Sequence, residues 1–299
     1  MERLMTIESR QLENEDDYQA VRQLLQRIFA TDGPPDNGTV GDLDWWRFTG
    51  EDPEAIWTSR IWLDESGTVV GFAWPSGDRL DHFSDPAYRN LEPEMVAWAE
   101  AQIRASGKHS SMTAFANDSH GWRQEQLQAL GFERGDDAFR YWYRQLDDLP
   151  VPTPLSDYVI RNVRGEEDVA ARVAAHRDAF APSKMTEAKH RAVMASPTYR
   201  PELDLIVEAP DRSVAAYCLV WLDGANAHGV FEPVGCHSAH RQRGLTKAVV
   251  YEGMRRLRDL GAATASVVSN PSEVAANRLY ASVGFTDLDM NRHWVISLT

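Results

Sequence analysis

Two cysteines, Cys218 and Cys236, are all that 299 residues contain. That is too few for a disulfide framework, and both fall in apolar, β-prone runs, so a reducing, cytoplasmic setting is expected. Basic residues are scarce: 31 Lys and Arg stand against 45 Asp and Glu, for a formal net charge of −14. That balance argues against a nucleic-acid partner, which would need a basic face, and is compatible with a cationic, amine-bearing small molecule. Long hydrophobic runs are missing: nothing approaches the roughly 18 apolar residues of a membrane helix, so no membrane partner is expected. Met1–Asp17 is charged and carries no signal-type apolar segment. Histidines are few, and the compact grouping of Cys236, His237 and His240 lacks the spacing of a tetrahedral site, so no metal is expected.

What is present is apolar content of 43%, enough for two ordinary cores. The pattern predicts a strand at residues 6–10, a helix over 15–29, a loop over 31–41 and a hairpin of 59–63 with 68–74. A helix over 94–105, a strand over 110–116, a helix over 122–130 and a closing strand over 139–145 follow. Trp45 and Trp46 sit in a loop-like stretch where they could line an acceptor pocket. Asp147–Pro154 is rich in proline and reads as a stiff linker. Beyond it the same order returns: strand at 160, helices over 167–180 and 186–195, strands over 203–208, 214–222 and 230–234, a helix over 248–260, a strand over 264–269, a helix over 272–283 and two closing strands. Landmarks repeat at near-constant spacing. Arg10 and Arg161 lie 151 apart, as do Phe29 and Phe180, and Gly131-Phe132 precedes Gly284-Phe285 by 153. The expected architecture is α/β, with two tandem domains, each a mixed twisted sheet flanked by helices: 1–148, a linker 149–155, and 156–299.

The chemistry concentrates in the second repeat, at Arg241-Gln242-Arg243-Gly244-Leu245-Thr246. A strand turning through a glycine into a helix start converges several N–H groups on one point, and the helix dipole adds about half a positive charge there. Arg241, Arg243 and Lys247 add full charges, and Gly244 admits close approach of a phosphate oxygen. The loop reads as a pyrophosphate cradle. Upstream, Glu232 lies on the strand leading into the loop, where a carboxylate could take a proton from an amine before attack.

R-x-x-G-x-(G/A) followed by Leu279-Tyr280-Ala281-Ser282-Val283-Gly284-Phe285 resembles the paired signatures of the GNAT-superfamily acetyltransferases, with Thr246 where the family usually has Gly or Ala. The resemblance implies acetyl-CoA as the acyl donor. It implies pantetheine pairing along Val234-Gly235-Cys236, and Tyr280 as the acid that protonates the departing thiolate. It also implies cofactor contact by an Asn in the region of Asn270 and Asn277, although Glu273 holds the usual position. An offset of 152 places Glu92 and Pro93 of the first repeat opposite Gly244 and Leu245, and an offset of 153 places Leu127 opposite Tyr280. The first repeat is therefore expected to have lost cofactor binding. The expected activity is acetyl transfer to a small amine-bearing acceptor by the second domain, in a monomer or homodimer. A non-catalytic acyl-CoA sensor and an interaction protein that keeps only the fold remain as alternatives.

Overall fold

The computed structural model describes residues 6–35, 38–151 and 155–298; residues 152–154 of the expected linker lie outside them. In chain order the elements are β1 (Glu8–Gln11), α1 (Glu15–Asp32), α2 (Val40–Thr49), β2 (Arg60–Leu63), β3 (Val69–Ser76), β4 (Arg79–Ser84), α3 (Glu92–Ser106), β5 (Ser111–Asn117), α4 (Gly121–Ala129), β6 (Glu133–Gln145), β7 (Val159–Asn162), α5 (Glu166–Ala179), α6 (Glu187–Met194), β8 (Asp204–Glu208), β9 (Val214–Asp223), β10 (His228–Cys236), α7 (Leu245–Asp259), β11 (Thr264–Ser269), α8 (Val274–Ser282) and β12 (Thr286–Ser297). Three expectations need correction. Strand β4 carries too many polar residues to have been read as one. The two closing strands are a single β12. Trp45 and Trp46 lie on helix α2 rather than in a loop, because Val40, Leu43 and Arg47 form a buried face at helical spacing.

The chain packs as two compact units: Met1–Thr39, Glu54–Arg140 and Asp289–Thr299 form the first, and Val40–Pro53 with Tyr141–Leu288 form the second. These differ from contiguous halves in two places. In the first unit β1 to β4 are joined antiparallel in sequence, β5 runs parallel to β4, and β12 closes the sheet through Asn291–Ser297 antiparallel to β5. In the second, β7, β8, β9 and β10 are antiparallel neighbours, β11 runs parallel to β10, and β6 flanks β11. Each unit thus takes in a strand from the other repeat's sequence.

The repeat itself is structural. Arg10 holds Asp17 through two bonds of 2.6 Å, and Asp17 also accepts the Glu13 N–H. In the second unit Arg161 holds Asp168 at 2.6 and 2.9 Å, and Asp168 accepts the Arg164 N–H. Each pair ties the first strand of its repeat (β1 or β7) to the helix that follows it (α1 or α5).

In the second unit the two-residue period of β9 sorts side chains onto two faces. Ala216, Cys218 and Val220 meet Val249, Val250, Met254 and Leu257 of α7, joined by Phe231 and Phe285. On the opposite face, Leu219 and Trp221 meet Val193 of α6, with Trp45 and Phe48 of α2 packed against them. The site sits where β10 passes between these layers.

Candidate active site

Strands β10 and β11 pair only at His228, Gly229 and Val230. Beyond Val230 they part, so one edge of Phe231–Cys236 has no strand beside it among the described residues, while the other stays paired to β9 at Val234, Gly235 and Cys236. The register on β9 slips between Phe231 and Val234. That β-bulge falls on Glu232-Pro233, as expected where a proline cannot donate to the ladder. The result is a gap along Val234-Gly235-Cys236, whose backbone is paired to β9 on one edge and faces the gap on the other.

The gap leads to the loop before α7. Gln242 and Gly244 have φ of +63° and +74°, which turns the chain sharply. A side chain at Gly244 would meet open space, so the glycine is needed for its left-handed backbone rather than for room. The first helical bond of α7 runs from the Ala248 N–H to the Gly244 carbonyl, and the N–H groups of Gln242, Arg243, Gly244, Leu245, Thr246 and Lys247 have no acceptor among the described residues. Six donors at the positive end of a 15-residue helix form a strong anion cradle. Arg241, Gln242, Arg243 and Lys247 are exposed around it. Arg243 is steadied by the Tyr158 hydroxyl at 2.9 Å, which itself contacts His240 Nδ1 at 3.2 Å. Upstream of the loop, Asp178 accepts the N–H and hydroxyl of Ser238. Cys236 borders the loop near Thr246, and burial pushes its thiol up, so it is no ready nucleophile.

Glu232 lies at the bulge. Its side chain retains some solvent access but is densely surrounded. Burial, with the Asp42 carboxylate nearby, raises its pKa from 4.5 to about 8. Tyr280 is only 6% exposed, and its ring rests against Trp142 and Phe285 with centroids 6.3 and 6.0 Å away. Burial, then the charges of Glu232, Cys218 and Tyr217, raises its hydroxyl pKa well above 10. Its hydroxyl makes no hydrogen bond among the described residues.

Asn270 and Asn277 are used locally. The Asn270 carboxamide oxygen accepts from the Ser272 N–H and hydroxyl at 2.9 and 2.7 Å. Asn277 accepts from the Ser269 hydroxyl and donates to the carbonyls of Asn270 and Pro271. Both shape the β11–α8 junction. Sequence reasoning missed Asp42 and Trp221; the indole N–H of Trp221 donates to the Glu232 carbonyl at 2.7 Å. A proline at 233 was the available signal, since a bulge there leaves the Glu232 carbonyl in need of a donor.

The corresponding stretch of the first unit is built differently. Asp85 caps Ala87 there as His237 caps Ala239 in the second unit, 152 residues on. Helix α3 begins at Glu92 and α7 at Leu245, 153 apart. The first unit is therefore one residue shorter in this loop, and Leu91, not Glu92, takes the place of Gly244. This corrects the sequence alignment. Leu91 is right-handed helical (φ −78°), and a 3-10 segment over Pro86–Leu91, kinked at Tyr88, leads into α3. Glu92, 2% exposed, accepts from the Ser84 hydroxyl at 2.7 Å and from Arg123 at 2.6 and 3.1 Å. Burial alone would raise its pKa, but Arg123 and His82 overcome this and hold it well below the usual carboxylate range.

An anion cradle continuous with a gap in a sheet, where an extended thioester arm can lie against free strand backbone, is what an acyl-CoA requires of a protein. The molecule is an acyltransferase. Residues 170–285 match the model of the acetyltransferase (GNAT) family. A mycothiol acetyltransferase from Kineococcus radiotolerans is 31% identical over 243 residues, covering 74% of this chain and 76% of that protein. The chain belongs to the GNAT acetyltransferases. Among solved structures, a tandem GNAT protein from the clavulanic acid biosynthesis pathway aligns with a TM-score of 0.71 and 17% identity over 98% of this chain and 99% of its own. A GCN5-related N-acetyltransferase from Sphaerobacter thermophilus aligns with a TM-score of 0.68 and 18% identity over 98% and 96%.

Proposed function

We propose that the second unit transfers an acetyl group from acetyl-CoA to a small amine-bearing acceptor, and that the first unit is a degenerate repeat that binds no acyl-CoA. The observation that carries this reading is the six unpaired N–H groups of Gln242–Lys247, set beside a strand edge left open from Phe231 to Cys236. Acetyl-CoA supplies an activated thioester. The N–H groups from Gln242 to Thr246, with Arg241 and Arg243, hold its pyrophosphate. Val234, Gly235 and Cys236 offer backbone partners to its pantetheine arm. Asn270 and Asn277 contribute by fixing the junction at which α8 starts.

Glu232 accepts the proton that the amine must lose to attack. With a pKa near 8, its ionised form is a stronger base than an ordinary carboxylate and titrates close to the working range. Tyr280 keeps its proton to high pH and gives it to the leaving sulfur. The name of the mycothiol acetyltransferase relative supports a small molecule as acceptor.

In the first unit, the shortened loop replaces free N–H groups with a closed helical turn, and Glu92 already supplies a negative charge at the start of α3. Calorimetric titration with acetyl-CoA, followed by an amine screen, tests both parts. About one site per chain is expected. Two sites would overturn the degenerate reading, and no binding would overturn the assignment of the cradle.

A further inference from the structure

The bulge that carries Glu232 is braced by a side chain of the neighbouring strand. Trp221, 1% exposed on β9, donates its indole N–H to the Glu232 carbonyl at 2.7 Å. The ladder cannot serve that carbonyl, because the register skips from Phe231 to Val234. Helix α2 lies directly on the Trp221 side chain. A Cβ added at the buried Gly41 would sit 2.3 Å from Trp221 Cβ and 2.5 Å from Cγ, so only glycine permits this approach. Gly41 does not have a positive φ, which makes contact, not backbone freedom, the reason for it. The helix is held in turn by Asp44, fully buried, which accepts the N–H of Thr198 at 3.1 Å and its hydroxyl. Trp45 and Phe48 pack beside Trp221, Leu219 and Val230.

We propose that Gly41 and Trp221 are positioning residues for the general base: α2 presses the indole into place, and the indole N–H holds the bulge that aims Glu232 at the acceptor. This rests on Glu232 being the base. A hydrogen bond to the Glu232 carbonyl fixes the peptide plane that leaves the Glu232 Cα, and the direction of the side chain on that Cα is restricted with it. Releasing it lets the carboxyl turn toward water.

Two variants test the brace. Trp221→Phe keeps an aromatic ring and removes the donor. Gly41→Ala leaves Trp221 intact and displaces it. Each is measured for kcat, KM for acetyl-CoA, the pH profile of kcat, acetyl-CoA binding by calorimetry and thermal unfolding. The expected result is a kcat lowered about ten- to a hundredfold, with acetyl-CoA affinity within twofold of wild type. The ascending limb of the pH profile should move to lower pH as Glu232 gains solvent. The groups facing Glu232 are Asp42 on α2, Tyr217 on β9 and Tyr280 on α8; Trp221→Phe touches none of them, so its limb reports the carboxyl's own surroundings, whereas Gly41→Ala also shifts the neighbouring Asp42 away and moves the limb in the same direction. A general loss of packing would lower the melting temperature without moving that limb.

Glu232→Gln, run alongside, separates the two levels. Wild-type rate in Glu232→Gln overturns the base assignment, and the brace with it. Loss of rate in Glu232→Gln, with unchanged kcat and pH limb in folded Gly41→Ala and Trp221→Phe, overturns the brace alone. If Trp221→Phe does not fold, Gly41→Ala decides by the same criteria. If neither folds, the contact is structural and the proposal is rejected.

Discussion

A base that is tuned by burial should weaken the protein that holds it, and Glu232→Gln measures by how much. A carboxyl whose folded pKa lies above its unfolded value binds more protons folded than unfolded. With values of about 8 and 4.5, stability must therefore fall as pH rises across that window, at about 1.4 kcal/mol per unit. The ceiling is about 5 kcal/mol above pH 8. Glu232 keeps some contact with solvent, which screens its charge and brings the expected cost to about 2–3 kcal/mol. Glutamine matches the neutral carboxyl in shape and never ionises. The variant and the wild type should melt together near pH 5. By pH 8.5 the variant should melt about 5–10 °C higher, at roughly 2–4 °C per kcal/mol for a chain of this size. Scanning fluorimetry or calorimetry across pH 5–9 reads the difference directly, while acetyl transfer at pH 8 should fall by about 10²–10⁴. A melting difference that stays flat with pH would refute the raised pKa and remove the physical basis for Glu232 as base.

Tyr280→Phe should slow transfer by about 10²-fold or more with acetyl-CoA affinity nearly unchanged, since the ring packing against Trp142 and Phe285 survives; a matching loss of affinity in calorimetry would contradict the acid role. Gly244→Ala meets no neighbour and should cost about 1–2 kcal/mol of backbone strain in the left-handed region, seen as weaker acetyl-CoA binding in a folded protein. Gly244→Glu should abolish binding by placing a carboxylate in the cradle. A fragment of residues 156–299 should fail to fold alone, because it lacks β6 beside β11 and α2 beside β9 and β10. Circular dichroism of that fragment decides the point, and a cooperative melt would contradict it.

Most of the second unit was legible because its signals are local. The continuous apolar run Val214–Leu222 set a strand buried on both faces, and Thr264–Ser269 was read to the residue. The glycine at 244, between arginines and before an amphipathic run, marked the cradle. What was not legible depended on pairing between distant segments. Nothing in β12 says that Asn291–Ser297 will lie against β5 rather than beside β11, since either edge accepts the same alternation. Helix α2 was hidden because Gly41 and the Trp45-Trp46 pair blur its period. Its meaning lies in a contact with Trp221 that no spacing encodes. Asn270 and Asn277 were placed near the cofactor by resemblance, and the structure engages both amides in the turn before α8.

Two changes in the first unit bear on the proposal that it holds no acyl-CoA. Charge alone is one explanation: Glu92 puts a carboxylate at the start of α3. The backbone gives another, because the loop is one residue shorter and Leu91 is right-handed where Gly244 is left-handed. Glu92→Gln separates them. It removes the charge but leaves Arg123, 3% exposed, without its counter-ion, so it should cost about 3–5 kcal/mol. In the wild type the pair's contribution is present above the carboxyl's unfolded pKa and is lost as pH falls through the folded one, so the variant's deficit should shrink in acid. If the backbone is the block, the variant still binds one acetyl-CoA per chain, because no N–H group has been turned outward. A second site in the titration would assign the loss to the carboxylate, and would make the degenerate unit one substitution away from binding.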